Sequence, residues 1–359
     1  MKTNTACLCT CQNSGWQPSK MIGRLLAAVL VLCLLSGCGT IPSAPTVYEA
    51  SYLTLFDTVT LVKGTAESRE AFEATAKQIH DGLERYHQLF DIYHDYDGMN
   101  NLKTINDQAG IAPVAVDPEI IALLQDCIRY YELTSGKTNV AMGSVLQLWH
   151  EARNEGITRP ETAALPDAGK LEAAAQHMDI TSLVINESDS TVYLSDPDAR
   201  LDVGAVAKGW AVQRIAEQLP SGILLSVGGN VCATGPKYEG QPWIIGIQDP
   251  QGGTGDYLHT LYLDGVSVVT SGDYQRAYIV DGQMYHHIID PDTRMPSTHW
   301  RSVTVVCHDS GLADALSTAL FLLPLEEGQQ LAAQLDADVL WADASGELFM
   351  TPDFQNMIP

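Results

Sequence analysis

Asp314 and Thr318 lie four residues apart in the stretch ADALSTAL, with Ser317 between them. On a helix that spacing puts 314 and 318 on one face. A carboxylate and a hydroxyl one turn apart are hard oxygen donors, the kind Mg²⁺ takes together with water and phosphate. The pair also fits a plainer role, with Asp314 favouring the helix start and Thr318 bonding back to the helix. The surrounding residues are apolar and run on into FLLPL. This helix therefore packs into a core, and a carboxylate on it needs either water or a positive partner.

Three other stretches carry candidate chemistry. DVGAVAKG places Asp202 before a glycine turn and Lys208 in the first turn of a following helix. Backbone N–H groups at such a turn, with a lysine beside them, can face a phosphate. The pattern is neither a Walker motif nor GxGxxG, so a strand–helix connection with a surface lysine fits it as well. YHHIIDPDTRMP holds His286, His287 and Asp290. Strand alternation predicts His286 and His287 on opposite faces, one of them inward. VVTSGDYQR and LLSVGGNV end strands with small residues, which allow either a ligand or another backbone to come close.

The composition restricts what such a site can bind. The 359 residues carry 20 Lys and Arg against 44 Asp and Glu. Residues 1–37 read as a secretory signal, with Lys20 and Arg24 before a short apolar run and then LSGC, a lipobox ending at Cys38. Cys38 is then the lipidated residue, residues 39–50 a tether and residues 51–355 one compact unit. Cleavage removes Lys2, Lys20 and Arg24 and no acid, leaving 17 − 44 = −27. Nucleic acid is excluded as a partner on charge. An anionic ligand must be held by local cations or a metal. The lipid would hold the protein at the cell membrane, on its outer side. Cys127, Cys232 and Cys307 read as buried thiols, without a disulfide framework.

The elements that must position these residues are consecutive hairpins mixed with long helices, which predicts an α+β fold. SREAFEATAKQIHDGLERYHQLF places Phe72, Ala76, Ile79, Leu83, Tyr86 and Phe90 on one face. DPEIIALLQDCIRYYELTSG has Asp117 as N-cap, Pro118 at the first helical position and Gly136 as the stop. YLTLFDTVTLVKG reads as one strand, and Asp-Gly at 264–265 and at 281–282 as hairpin turns. Residues 145–200 read as a loop-rich stretch, a candidate small subdomain.

Taken together and in order, the blocks DVGAVAKGWAV, SVGGNV, VTSGDYQR, HHIIDPDTRMP and ADALSTAL resemble the FAD:protein FMN transferase, or ApbE, family. LFDIYHDYDGMNNLKTIND and TSGKTNVAMGSVLQLW are similar to its earlier blocks. The resemblance implies a T-fold-like α+β unit with mixed or antiparallel sheets packed with long helices. It also implies Mg²⁺-dependent transfer of FMN from FAD to a Thr or Ser hydroxyl of an acceptor flavoprotein, with AMP released. That acceptor would be a membrane redox subunit or a secreted flavoprotein. By position the metal ligands fall on Asp314, Thr318 and the backbone carbonyl of Ala205, with Ser317 assisting. The flavin-nucleotide contacts fall on Phe56, Tyr93, Lys137, Thr138, Asn139, Asp202, Lys208 and Ile288. Arg294 stands where the family has glycine. His287 or Asp290 is the candidate base for the acceptor hydroxyl. The alternatives are hydrolysis of FAD to FMN and AMP at the same site, and a flavin-binding lipoprotein without turnover.

Overall fold

The computed structural model describes residues 46–253 and 255–358. The signal peptide, Cys38 and most of the tether lie outside the described residues. Residues 47–50, read as the end of the tether, instead belong to strand β1 (Val47–Tyr52). The chain reverses over residues 53–59 and returns as β2 (Thr60–Thr65), antiparallel to β1 with Tyr52 opposite Thr60. The single strand predicted here is thus two. Phe56 and Asp57 make the reversal, with φ of +52° and +54°.

After β2 come α1 (Arg69–Phe90), α2 (Leu102–Asp107), β3 (Val114–Ala115) and α3 (Pro118–Leu133). Then follow α4 (Gly143–Thr158), α5 (Ala168–Ala174), β4 (Leu183–Asn186), β5 (Thr191–Leu194) and α6 (Ala207–Ala216). Seven strands come next: β6 (Ile223–Val227), β7 (Asn230–Ala233), β8 (Trp243–Gln248), β9 (Tyr257–Leu263), β10 (Ser267–Gly272), β11 (Ala277–Val280) and β12 (Gln283–His286). β13 (Ser302–Cys307), α7 (Ser310–Leu322), α8 (Leu325–Gln334), β14 (Asp338–Ala342), β15 (Leu348–Met350) and α9 (Pro352–Asn356) close the chain.

One antiparallel sheet organises the molecule, in the order β1-β2-β6-β7-β10-β13-β14-β15. β13 is buried along its whole length because both faces of this sheet are covered. Val303, Val305 and Cys307 pack towards Leu316 and Leu320 of α7. Val306 joins Trp243, Ile245 and Leu261 of the β8–β9 hairpin on the other face. The period of two along β13 therefore divides its side chains between two cores.

The predicted apolar face of α1 is the buried one. Ser68 caps α1 by accepting the Ala71 N–H, and Phe72, Ile79, Leu83 and Phe90 line its inner side. Asp117 caps α3 by accepting the Glu119 N–H. Gly136 ends the α3 connection at φ +83°, a conformation glycine reaches without a Cβ clash.

The two Asp-Gly turns differ. Asp281-Gly282 is a two-residue hairpin turn between β11 and β12, both φ positive. Asp264-Gly265 is not a hairpin turn. β9 pairs with β8, whereas β10 lies between β7 and β13, so this turn passes the chain between sheets. The stretch at 145–200 is no separate domain; the described chain from residue 46 onward forms one compact unit. Its first part is the helix α4, whose Val145 and Trp149 form a satellite core with Tyr278 and Ile289.

Candidate active site

Where α6 and α7 cross against the central strands of the large sheet, a cleft of about 700 Å³ opens. That volume is in the range of small-molecule sites. Its walls come from distant parts of the chain: residues 56–58, 90–94, 137–140, 202–208, 270–276 and 287–289, one face of α4, and Asp314 and Thr318 of α7.

The crossing depends on Gly209. A Cβ there would lie 2.2 Å from the Ser310 carbonyl oxygen and 2.5 Å from the Asp314 Cβ. With no Cβ, the Gly209 N–H donates to Asp314 Oδ2 at 2.8 Å. No α6 side chain caps that helix's first turn, so the carboxylate of α7 does so from across the crossing. Lys208 Nζ stands 3.7 Å from the same oxygen. Burial pushes the Asp314 pKa up, and Lys208 and the Gly209 N–H pull against it. Asp314 is 4% exposed, so its burial is compensated by protein groups even before any metal is considered. Thr318, one turn later, lines the same cleft. Ala205 lines it as well, in the turn braced by the Gly204 N–H donating to Asp202 Oδ1 at 2.9 Å.

Ser317 does not join them. It is fully buried behind the cleft wall, donates to the Asp314 carbonyl at 2.9 Å and meets Ser271 Oγ at 2.8 Å. Its hydroxyl fastens α7 to β10.

The residues assigned to the flavin nucleotide all line the cleft, but several side chains are already engaged. Thr138 donates to the Ala315 carbonyl at 2.8 Å. Asn139 donates to the Met178 carbonyl and accepts the Ala141 N–H, both at 2.9 Å. Lys137 Nζ bridges Asp290 at 3.0 Å and Asp292 at 2.7 Å. Tyr93 remains largely exposed, and its hydroxyl lies 2.9 Å from His150 Nδ1. Desolvation, then the Asp202 charge, push that phenol up to about 12. The other imidazole nitrogen is 3.9 Å from Asp202 Oδ2, a buried oxygen with no hydrogen-bond partner. Ile288 is a buried wall residue, and Phe56 sits edge-on to His87.

The two candidate bases separate. His287 faces the cleft with a buried Nδ1 that has no partner. Burial, then the charge of Arg276, depress its pKa to about 3, so the ring is neutral at ordinary pH. Asp290 is not a cleft residue; its carboxylate holds Lys137 and the Asp292 N–H. The predicted alternation also fails here, because β12 ends at His286. His286 is buried, donating through Nε2 to the Ser297 carbonyl at 2.7 Å and accepting the Ile288 N–H at 3.2 Å. Arg294 takes φ +60°, a left-handed conformation that glycine adopts without strain.

Sequence reasoning missed His150 and Arg153, one turn apart on the α4 face that lines the cleft, and also Arg276 and Asn230. Arg276 and Asn230 sit inside quoted motifs. The i, i+3 pairing of His150 and Arg153 on a helix was the available signal for the other two.

Hard oxygen donors beside lysine and arginine cations, in a cleft walled by aromatic rings, define a site suited to a phosphorylated aromatic ligand and a divalent cation. The donor set fits Mg²⁺ better than a softer metal, since no cysteine lines the cleft. The chain belongs to the ApbE family, whose model matches residues 53–341. It is 33% identical over 347 residues to the FAD:protein FMN transferase of Treponema pallidum, with 90% of each chain covered. A Klebsiella pneumoniae protein of the same name is 29% identical over 349 residues, covering 92% of this chain and 97% of that one. Among solved structures, the ApbE protein of Thermotoga maritima superposes with a TM-score of 0.77 at 28% identity, covering 88% of this chain and all of that one. The flavin transferase ApbE of Vibrio cholerae, at 24% identity and a TM-score of 0.73, shares the fold.

Proposed function

We propose that this protein is an FAD:protein FMN transferase that moves FMN from FAD to a Thr or Ser hydroxyl of an acceptor flavoprotein. The acceptor oxygen attacks the FMN-side phosphorus, the P–O bond to the AMP phosphate breaks, and AMP departs. The hydroxyl proton passes to a base. His287 is that base: its ring is neutral, faces the cleft and has an uncommitted nitrogen. Asp290 is tied to Lys137 and serves instead to hold that lysine at the wall. Lys208 offers its ammonium to the phosphates. Asp314, Thr318 and the Ala205 carbonyl would hold Mg²⁺, which when bound supplies Lewis-acid neutralisation of phosphate charge. Tyr93, kept protonated by desolvation and the Asp202 charge and oriented by His150, presents an aromatic face to the flavin nucleotide. A lipid on Cys38 would keep the enzyme at the outer side of the cell membrane, facing acceptors exposed there.

The observation that carries this reading is that Asp314, Thr318, Lys208 and His287 line one cleft although they are spread over 111 positions of the chain (318 − 208 = 110 steps). The test is Asp314→Asn, which keeps the shape and removes the charge. Mg²⁺-dependent AMP release from FAD should fall at least about a hundredfold, with the circular dichroism spectrum unchanged. A folded variant with full Mg²⁺-dependent turnover would rule out the metal assignment.

A further inference from the structure

Arg153 and Arg276 both line the cleft, and neither makes a salt bridge or a hydrogen bond among the described residues. Arg153 is half-buried on α4, and Arg276 stands at the root of the β11–β12 hairpin. They are close enough that Arg276's charge, after burial, lowers the Arg153 pKa. Two like charges that line one cleft, Arg153 half-buried and Arg276 exposed, repel each other. A chain with 44 acidic residues has ample means to neutralise them, yet no acid pairs with either guanidinium among the described residues. Asp91 accepts from the Tyr93 N–H, His94 and the Tyr96 hydroxyl. Asp202 accepts the Gly204 N–H and faces His150. The arrangement fits a ligand that brings its own negative charge, and guanidinium groups match the paired oxygens of a phosphate. His287 feels the charges of Arg276, Arg153 and Lys208, so it lies among these cations.

We propose that Arg153 and Arg276 form a phosphate clamp in the cleft, separate from the Lys208–Asp314 crossing, that grips the diphosphate of the dinucleotide substrate and the phosphate of the departing AMP. This rests on the flavin-transfer reading for the identity of the nucleotide. The clamp engages a ligand oxygen without a metal, so it should act in metal-free protein too.

The test measures binding rather than turnover. FAD, AMP and riboflavin are titrated into the full protein in the presence of EDTA and again with Mg²⁺, for wild type, Arg153→Gln, Arg276→Gln, Arg153→Lys and the double Gln variant. Each Gln variant should weaken FAD and AMP about tenfold under both conditions and leave riboflavin, which has no phosphate, within twofold. Arg153→Lys should recover part of the loss. Unchanged FAD and AMP affinity in the double variant would overturn the clamp. So would a riboflavin loss equal to that for FAD, which would put the arginines on the ring. If nucleotide binding held while the acceptor's KM rose, the cations would belong to the acceptor protein and the proposal would fall. Arginine-dependent AMP binding in a wild-type protein that transfers no FMN would keep the clamp and sink the transfer reading instead.

Discussion

Gly209→Ala tests how much of the site depends on the α6–α7 crossing. The added methyl carbon would meet the Ser310 carbonyl oxygen at 2.2 Å, against an ordinary contact of 3.4 Å or more. The helices must part by at least 3.4 − 2.2 = 1.2 Å, because both obstacles, backbone and Cβ, are rigid. Overpacking of this kind costs about 1–3 kcal/mol. The same displacement takes the 2.8 Å hydrogen bond from the Gly209 N–H to Asp314 beyond bonding distance. Losing a hydrogen bond to a buried charge costs about 1.5–3 kcal/mol more. The sum, about 2.5–6 kcal/mol, corresponds to a Tm drop on the order of 10 °C in a domain of this size. The site should suffer beyond stability. Asp314 loses its second partner, protonates more readily and moves relative to Thr318, so Mg²⁺ should no longer raise the Tm. Differential scanning calorimetry with EDTA and with excess Mg²⁺ reads both effects. A Tm within about 2 °C of wild type, with the Mg²⁺ increment intact, would refute the view that this close approach builds the site.

Two further predictions concern the bases and pH. His287→Gln should lower kcat about a hundredfold or more, whereas Asp290→Asn should act mainly on the KM for FAD by loosening Lys137; the reverse order in steady-state kinetics would exchange their roles. Because His287 titrates near 3 in the folded protein and near 6.5 when unfolded, the unfolded state binds the extra proton between those values. Its contribution is therefore destabilising as pH falls through that window, by about 1.4 kcal/mol per unit, and His287→Gln should flatten urea-denaturation stability there. The acid limb of activity should come instead from Asp314, whose raised pKa keeps it protonated above the usual carboxylate range, and should move to lower pH as Mg²⁺ competes with the proton.

Local chemistry was readable in the sequence where neighbours along the chain decide it. The cap at Asp117, the inner face of α1 and the Asp281-Gly282 hairpin all follow from residues within a turn or two. The reversal at 53–59 was hidden because its apolar residues continue the alternation of the strands on either side. The Asp264-Gly265 turn shows the same limit. Turn residues set where the chain bends, while sheet membership is set by which apolar faces become buried; Leu263 and Val268 reach one core from two different sheets. The site was legible as a set of motifs, but the commitments of its side chains were not. Lys137 to Asp290, Thr138 to Ala315 and Ser317 to Ser271 span 153, 177 and 46 residues, and no local pattern announces them. The resemblance assigned residues to a shared site. Only the packing of α7 on β10 shows why Ser317 turns away from the cleft and Thr318 does not.

The most direct measurement of the central claim is the mass of an acceptor flavoprotein after incubation with this protein, FAD and Mg²⁺, with AMP quantified in the same tube. The account predicts that the acceptor gains one FMN residue for each AMP released, at a Thr or Ser, and that EDTA abolishes both. AMP and free FMN appearing with the acceptor's mass unchanged would make the protein an FAD hydrolase and contradict it.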